Sequence, residues 1–549
     1  MTLTKKNSIL FLISCLSLPS IILAADNIKT PQALLSQYDS QKAVKVTIKP
    51  EKVDCKPYDI YVHNPKIEKL IRNRYTYADI NDVIEQTKSV RNISIIKKKW
   101  GTFIEAASFA DAEHANNTHY NAIWLRDSLW GYLALNSESS RQADAKAVLL
   151  TLWDYLSSPE QLKRMENVIK DPYVLNDIDG QMKAVHIRFD SNSPEFEDVL
   201  EKDHPQPWTH KQNDALGFFI DTLLTAIKNE QIQSKDWTEG RRMEAFVKLI
   251  AYIQQIHFYE MPDSGMWEET SRVNTSSVGF VTSGLENLFN FIYASQNKND
   301  NSDAFRKTFI RSVKKYNYQR VINKDKIEIS INAGYNLIKD QLILGGESPA
   351  YEKTDKLFRT ADAALLSLIY PAKLSRLSLA QKQKIMNIVQ KLEGNYGIKR
   401  YENDNYQSAN FWFNGIKTDT DSSSYKKRRE NFIEGTEAQW FFDSWYGIAA
   451  LQLFHETNDS LYFEEATKHL NRALAQITDN HVLGADGQYI VGPALPESYN
   501  FLTDNSKMKE FPSPITPLNW AKATLTLLLD KMLIDITKLD PACANDWPC

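Results

Sequence analysis

Apolar residues recur at three- and four-residue spacing along most of the chain from about residue 99 onward, which is the periodicity of amphipathic α-helices. The segments "NDALGFFIDTLLTAIKN", "MEAFVKLIAYIQQIH" and "TPLNWAKATLTLLLDKML" are examples. Several such segments are apolar almost all round, which is typical of inner helices that an outer layer covers. No series of regular strands alternates with them. The sequence therefore predicts a large, mostly α-helical domain in which helix hairpins pack around a common centre.

The composition narrows the classes of function. The formal net charge of the chain is −4, whereas a nucleic-acid-binding protein is usually basic, so we expect no nucleic-acid partner. The 12 tryptophans and 25 tyrosines are a mild indication of sugar binding, because flat rings stack on the apolar faces of sugars, although core packing is the more common reason. No spacing of cysteine and histidine resembles a metal site, so we expect no bound metal.

The N-terminus, "MTLTKKNSILFLISCLSLPSIILAADN", has the layout of a secretory signal peptide. Two lysines precede a mostly apolar stretch, and two alanines come before Asp26. We therefore expect that residues 1–25 are removed and that the mature protein is periplasmic or secreted, with no membrane association. Two alternatives stay open. The "LISC" around Cys15 resembles a lipoprotein box, or the apolar stretch stays in place as an uncleaved membrane anchor.

The mature chain is predicted to have three parts. Residues 26–98 are polar and mixed, and we interpret them as a short irregular N-terminal extension. Residues 99–535 form the helical domain, and residues 536–549 form a C-terminal tail. One disulfide is possible, either within "CANDWPC" or between the extension and the C-terminus, and its candidate cysteines are Cys55, Cys543 and Cys549.

Four short segments combine aromatic, charged and amide side chains beside apolar helices. They are "YNAIWLRDSLW" with Trp124, Arg126 and Asp127, "PWTHKQNDALG" with Trp208, Gln212 and Asp214, "SGMWEETSRVN" with Trp267, Glu268 and Glu269, and "GPALPESYN" with Glu497. Each segment alone is also explained by a helix start, an N-cap or an exposed loop. Together they favour a sugar site, because arginine and aspartate hydrogen-bond hydroxyls and tryptophan supplies stacking surfaces. Glycoside hydrolysis needs two carboxyl groups, and Glu268 and Glu497 can supply them.

The order WLRD, WxxxQxD, WEE, and PES followed by TPLxW resembles glycoside hydrolase family 15, the glucoamylase family. Within the family, "GMWEETSRVNTSSVGFVTSGLE", "KLEGNYGIKRYENDNY" and "EAQWFFDSWYGI" are more similar to the branch that holds the α and β regulatory subunits of phosphorylase kinase. The resemblance covers roughly residues 99–535. It implies an all-α (α/α)6 barrel, a six-hairpin toroid with the site in a funnel at one end.

The resemblance also implies an inverting exo-hydrolase that releases glucose from the non-reducing ends of α-glucans, without a metal or organic cofactor. By motif, Glu268 resembles the general acid and Glu497 the general base. The residues that resemble substrate-binding positions are Arg126 and Asp127, which would hold the terminal glucose, the aromatic Trp124, Trp208 and Trp267, the neighbouring Gln212 and Asp214, and Glu269 beside the acid. We expect a monomer whose partner is an α-glucan or oligosaccharide substrate.

The chain departs from the family pattern at Thr209-His210-Lys211, where glucoamylases usually read Gly-Arg-Pro. This change is expected to alter binding in the outer part of the pocket. Two other functions remain open: a catalytically silent barrel that binds glucan or a protein partner, and a hydrolase of another linkage such as trehalose or isomaltose. The presence of Glu497 favours a working enzyme, because the regulatory relatives do not reliably have glutamate there.

Overall fold

The computed structural model describes residues 30–50, 55–108, 120, 122–293, 299–351, 357–413, 432–504 and 507–539. Its α-helices are α1 (Pro31–Leu35), α2 (Pro65–Glu68), α3 (Tyr77–Gln86), α4 (Lys88–Arg91), α5 (Leu125–Ser137), α6 (Gln142–Leu156), α7 (Pro159–Lys170), α8 (Gly180–Lys183), α9 (Asn213–Lys228), α10 (Ser234–Thr238), α11 (Arg242–Gln255), α12 (Thr275–Tyr293), α13 (Asp300–Lys315), α14 (Lys324–Leu344), α15 (Leu379–Gln390), α16 (Asp443–Thr457), α17 (Ser460–Ala475) and α18 (Asn519–Leu539). Short 3-10 helices lie at Tyr38–Ser40, Ser139–Arg141, Pro172–Asn176 and Ala363–Leu368.

The strands are short and lie mostly at helix ends. They are β1 (Val44–Ile48), β2 (Tyr58–Val62), β3 (Ile96–Lys98), β4 (Gly101–Phe103), β5 (Ile123–Trp124), β6 (Arg188–Phe189), β7 (Leu200–Glu201), β8 (His204–Pro205), β9 (Gln439–Trp440), β10 (Val482–Leu483), β11 (Tyr489–Ile490), β12 (Ser498–Asp504) and β13 (Lys507–Pro512). They form antiparallel pairs, except that β12 pairs with both β13 and β9 in a three-stranded sheet. That sheet borders the site described below.

An inner ring of helices closes on itself. In chain order it consists of α5, α9, α12, the 3-10 helix Ala363–Leu368, α16 and α18, and each member packs on the next, with α18 packing back on α5. The closest pair is α9 and α12, because glycines let their backbones meet. A Cβ added to Gly217 would lie 2.5 Å from the backbone carbon of Phe280, so a larger residue there would force the helices apart.

An outer layer covers this ring. Helices α6, α14, α15 and α17 pack on inner members from the outside, α11 packs against α6 and α14, and α3 packs on α18. The predicted (α/α)6 barrel is confirmed by this double ring of helix hairpins. Helix α3 comes from the segment that we interpreted as an irregular extension. The described part of that segment therefore holds more regular structure than we expected, and its apolar residues, Ile80 and Val83 among them, join the main core.

Large aromatic rings fill the centre of the inner ring. Trp130 on α5 is fully buried, and its ring centroid lies 5.5 Å from that of Trp445, 5.7 Å from that of Phe218 and 5.9 Å from that of Trp520. These contacts are edge-to-face or offset arrangements, which aromatic pairs prefer. The barrel is therefore a packed core whose centre is filled by side chains.

Three sequence predictions fall largely outside the described residues: the signal peptide at 1–25, the lipoprotein-like Cys15, and the cysteines Cys543 and Cys549 of the tail. Within the part of the chain that the structure describes, none of the helices combines the length and apolarity needed to cross a membrane.

Candidate active site

A cavity of about 120 Å³ opens at the end of the barrel where the inner helices begin. The start of α5 contributes to its wall, as do the turn before α12, the segment leading into α16 and the start of α18. Loops from distant parts of the sequence meet at this end of the barrel. Seven of the ten predicted site residues line the cavity: Trp124, Arg126, Asp127, Trp208, Trp267, Glu268 and Glu497. The structure therefore brings both predicted catalytic carboxyl groups into one concavity.

Glu268 lies in the turn before α12, with a left-handed backbone φ of 57°. A non-glycine residue rarely adopts this conformation, and it persists only where the surroundings hold it. The Thr209 hydroxyl donates to the Glu268 carbonyl at 3.1 Å. The side chain accepts hydrogen bonds at Oε1 from Arg126 Nη2 at 2.9 Å and at Oε2 from Trp208 Nε1 at 2.6 Å. The turn thus directs the carboxyl into the cavity between two donors.

Arg126 is held in place from behind by two residues that do not line the cavity. Its Nη1 donates to Gln212 Oε1 at 2.8 Å and to Asp214 Oδ2 at 3.0 Å. Gln212 and Asp214, which we predicted to bind substrate, therefore position the arginine. Asp127 faces the cavity from the first turn of α5, and burial raises the pKa of its carboxyl to about 6.

A second arginine in the cavity wall was missed by the sequence reasoning. The Arg188 guanidinium lies between two predicted aromatics, 4.6 Å from the ring centroid of Trp124 and 4.0 Å from that of Trp208. It donates to Gln206 Oε1 at 2.6 Å, and burial lowers its pKa to about 10. Its segment, "HIRFD", belongs to none of the four segments that the sequence analysis singled out. His210 belongs to the Thr-His-Lys stretch that departs from the family pattern, and it lines no part of the cavity.

Glu497 lies immediately before β12, where the pairing of β12 with β9 fixes the backbone. Its side chain is buried and accepts hydrogen bonds from Tyr120 Oη at 2.9 Å and Gln407 Nε2 at 2.6 Å. Burial raises the pKa of the carboxyl to about 7, against the lowering effect of these two donors. Glu497 thus retains its proton to a higher pH than an ordinary glutamate.

The neighbour of Glu268 points elsewhere. Glu269 is buried outside the cavity lining and accepts hydrogen bonds from Arg359 Nη2 at 2.9 Å, Arg400 Nη2 at 3.0 Å and Tyr401 Oη at 2.6 Å. Arg400 does line the cavity, and the sequence reasoning assigned it no role. Glu269, predicted to bind substrate, is therefore placed to hold a cavity arginine.

Trp267 forms part of the cavity wall and donates from Nε1 to Asp362 Oδ1 at 2.8 Å. Trp440, Phe442 and Trp520 add further rings to the lining. A cavity walled by aromatic faces, with arginines and carboxyl groups converging on it, has the chemistry to bind a sugar ring and to transfer protons at its glycosidic bond.

Elsewhere in the described residues, Glu393, Glu465 and His469 place donor atoms within 4.8 Å of one another. Lys468 Nζ lies 2.7 Å from Glu393. Burial lowers the pKa of His469, but hydrogen bonds to Asp443 and to the two glutamates raise it overall to about 9. The cluster is thus an ion-pair network, and none of its members lines the cavity.

A model of the family described as Glycosyl hydrolases family 15 matches residues 88–482, more than half of the chain. The chain belongs to glycosyl hydrolase family 15. The resemblance that the sequence motifs carry is thereby confirmed.

Two related proteins match only parts of this family 15 chain. It is 49% identical over 207 residues to the "Uncharacterized lipoprotein YgeQ" of Escherichia coli K12, across 38% of this chain and 78% of that protein. It is 25% identical over 360 residues to the "Probable phosphorylase b kinase regulatory subunit alpha" of Caenorhabditis elegans, and spans only 24% of that subunit. The glucoamylase structure from Saccharomycopsis fibuligera superposes with a TM-score of 0.49 and 13% identity, across 85% of this chain and 98% of that one.

Proposed function

We propose that this family 15 protein is an inverting, exo-acting α-glucosidase that releases glucose from the non-reducing ends of α-glucans. The observation that carries the proposal is the meeting of Glu268 and Glu497 in one cavity walled by aromatic rings. Exo action fits a cavity at the end of a packed barrel, because only a chain end can enter it.

In the proposed mechanism, Glu268 gives a proton to the glycosidic oxygen as the bond to the anomeric carbon breaks. Glu497 removes a proton from a water molecule on the opposite face, and the resulting hydroxyl oxygen bonds to the anomeric carbon. Arg126 and Asp127 hold the hydroxyls of the terminal glucose. Inversion by this route requires the two carboxyl groups to lie about 6.5–9.5 Å apart, which leaves room for the water.

The environments of the two carboxyl groups favour a second assignment of the same pair. Glu268 accepts hydrogen bonds from an arginine and a tryptophan. Glu497 is buried and holds its proton up to about pH 7. In this second assignment Glu497 is the acid and Glu268 is the base. The motif resemblance supports the first assignment, and the raised pKa of Glu497 supports the second.

Substitution of each carboxyl by its amide tests the proposal. Glu268→Gln and Glu497→Gln should each reduce glucose release by about 10²–10⁴-fold, the usual contribution of general acid or base catalysis. Glu260→Gln, at an exposed glutamate outside the cavity, is the matched control and should retain full activity. The first product seen by NMR should be β-glucose.

A glucosyl fluoride needs no proton for its leaving group, so it should restore turnover only to the variant that lacks the acid. Rescue of Glu268→Gln alone supports the first assignment, and rescue of Glu497→Gln alone supports the second. Release of α-glucose as the initial product would refute the inverting mechanism. Full activity of both variants would refute the site.

The linkage is the part of the proposal that a substrate panel tests directly. Maltose, maltotriose and starch should release glucose faster than isomaltose or trehalose. Binding of maltotriose without hydrolysis of any member of the panel would replace the enzyme by the alternative, a catalytically silent glucan-binding barrel.

We further propose that the protein is exported, with a mature N-terminus near Asp26. The lysines, apolar stretch and alanines of residues 1–25 support this, and so does the Escherichia coli relative, which is described as a lipoprotein. The relative also supports the alternative in which a lipid attached to Cys15 anchors the chain.

A further inference from the structure

A second cavity lies at the other end of the barrel, with a volume of about 150 Å³ against about 120 Å³ for the active-site cavity. It is lined by the C-terminal part of α5, which contributes Tyr132 and Asn136, and by the C-terminal half of α9. The N-terminal end of α5 contributes Arg126 and Asp127 to the active-site cavity, and Trp208, which also lines that cavity, lies shortly before α9. The two cavities therefore lie at opposite ends of these inner helices.

Trp130 lies between the two cavities. Its ring centroid is 5.9 Å from that of Trp520, which lines the active-site cavity, and 5.7 Å and 6.0 Å from those of Phe218 and Tyr370, which line the second. Because Trp130 is fully buried in this stack, a ligand in one cavity cannot extend into the other. The second cavity is thus a separate potential site.

Like the first cavity, the second cavity is partly walled by aromatic side chains. Tyr132 and Tyr370 line it with exposures of 3% and 6%, close to the 5% and 6% of Trp124 and Trp520 in the active-site cavity. Aromatic faces of this kind accept the apolar side of a sugar ring. The rim is polar, with amide, hydroxyl, carboxyl and ammonium groups.

Several of these polar groups are available to a ligand. Asp221 Oδ1 accepts from Asn287 Nδ2 at 3.0 Å, whereas its Oδ2 has no hydrogen-bond partner among the described residues. Within the same described ranges, the Lys373 ammonium and the Asn229 amide also lack hydrogen-bond and ion-pair partners, although Lys373 Nζ lies over the Tyr370 ring, 5.5 Å from its centroid. Lys373 in addition has a left-handed φ of 49°, a conformation that favours glycine or asparagine over lysine. A strained lysine at the edge of a cavity is one mark of a functional position.

We propose that this cavity is a second carbohydrate site, which binds a neutral hexose or the end of a short oligosaccharide. Asp221 disfavours an anionic ligand and Lys373 disfavours a cationic one. A sugar hydroxyl satisfies both groups, because it donates to a carboxylate and accepts from an ammonium. The ring of Tyr132 covers the apolar face, beside Tyr370, whose ring centroid lies 5.5 Å from Lys373 Nζ and 4.8 Å from Lys531 Nζ. The site does not depend on hydrolysis in the active-site cavity.

Hydrogen exchange of the full chain with D-glucose tests this proposal. Glucose should slow amide exchange in peptides covering residues 218–231 and 370–373, with half-maximal effect at about 1–10 mM, the range expected for a few hydrogen bonds. Glucose 6-phosphate and glucosamine, which add a negative and a positive charge, should protect the same peptides more weakly.

Two variants and one control give the test its specificity. Asn229→Trp places a bulky ring at the exposed rim and should abolish protection of 218–231. Lys373→Asn suits the left-handed backbone, removes the ammonium and should raise the half-saturating concentration about tenfold, which is equivalent to a loss of about 1.4 kcal/mol of binding free energy. Asn480→Trp, at an exposed asparagine that lines neither cavity, should behave as the wild type.

The outcomes separate this site from the active-site cavity. Protection of 218–231 without protection of 264–269 supports the second site even if the proposed glucosidase activity fails. Protection of 264–269 alone, at glucose concentrations about tenfold above the expected half-saturating value, overturns the second site. Equal protection of 218–231 in wild type and in Asn229→Trp overturns it as well.

Discussion

The pH dependence of glucose release is the sharpest test of how Glu497 acts. Burial raises the pKa of its carboxyl from the usual 4.5 to about 7. If Glu497 is the base, only the ionised form is active, and half of the free enzyme carries that form at about pH 7. At pH 5 the ionised fraction is about 1%, so kcat/KM should fall about 50-fold between pH 7 and pH 5. If Glu497 is the acid, kcat/KM should instead fall as the pH rises above about 7.

Substitution of Tyr120 moves this midpoint in a direction that the structure sets. Its hydroxyl donates to Glu497 Oε1 at 2.9 Å and so stabilises the ionised form. Tyr120→Phe removes the donor, so the midpoint of the kcat/KM profile should shift to higher pH. Tyr155→Phe is the matched control, because that buried hydroxyl donates to the His186 carbonyl and lies outside the cavity.

The same titration affects stability. Since the native state holds the Glu497 proton more tightly than the unfolded chain, its contribution to stability is fully present below about pH 4.5 and is lost as the pH rises through about 7. The loss is on the order of 3 kcal/mol, the free-energy equivalent of the pKa difference. In urea unfolding, Glu497→Gln should therefore gain stability relative to the wild type between pH 4.5 and pH 8. A kcat/KM profile that is flat from pH 5 to pH 8, together with a pH-independent stability difference, would refute the reasoning.

Glu269→Gln should lower the free energy of unfolding by about 3–5 kcal/mol in urea denaturation, because it removes the buried charge that Arg359 and Arg400 share. It should keep more glucose release than Glu268→Gln, since its carboxyl lies outside the cavity lining; an unchanged unfolding midpoint contradicts this. N-terminal sequencing of the mature protein should begin near Asp26, and an intact Met1 on cytosolic protein contradicts the proposed export.

The helical domain was predictable because its signal is local. The apolar spacing of a segment such as residues 213–228 is a property of neighbouring residues, and α9 lies where that spacing indicates. The order of the motifs was equally recognisable from the sequence. Residues 264–269, with their adjacent tryptophan and glutamates, were recognisable without any knowledge of the chain path. Both catalytic candidates, Glu268 and Glu497, were named on that basis and line one cavity.

Burial and side-chain direction were decided only by the tertiary structure. Glu268 and Glu269 are adjacent in sequence, but the turn sends the first into the cavity and the second into a buried cluster with Arg359 and Arg400. Helix α3 likewise completes the outer layer from a segment that looked irregular, because its apolar face is stabilised by α18, more than 400 residues away.

The sequence by itself determined the family and the all-α architecture and named the two candidate carboxyl groups, since these depend on residue type and order. It could not determine that the pKa of Glu497 is raised to about 7. That property depends on burial and on the donors Tyr120 and Gln407, which approach Glu497 from 377 and 90 residues away. The second cavity likewise could not be predicted from the sequence. No motif marks Asp221, Asn229 and Lys373, and only the packing of the inner helices brings them together.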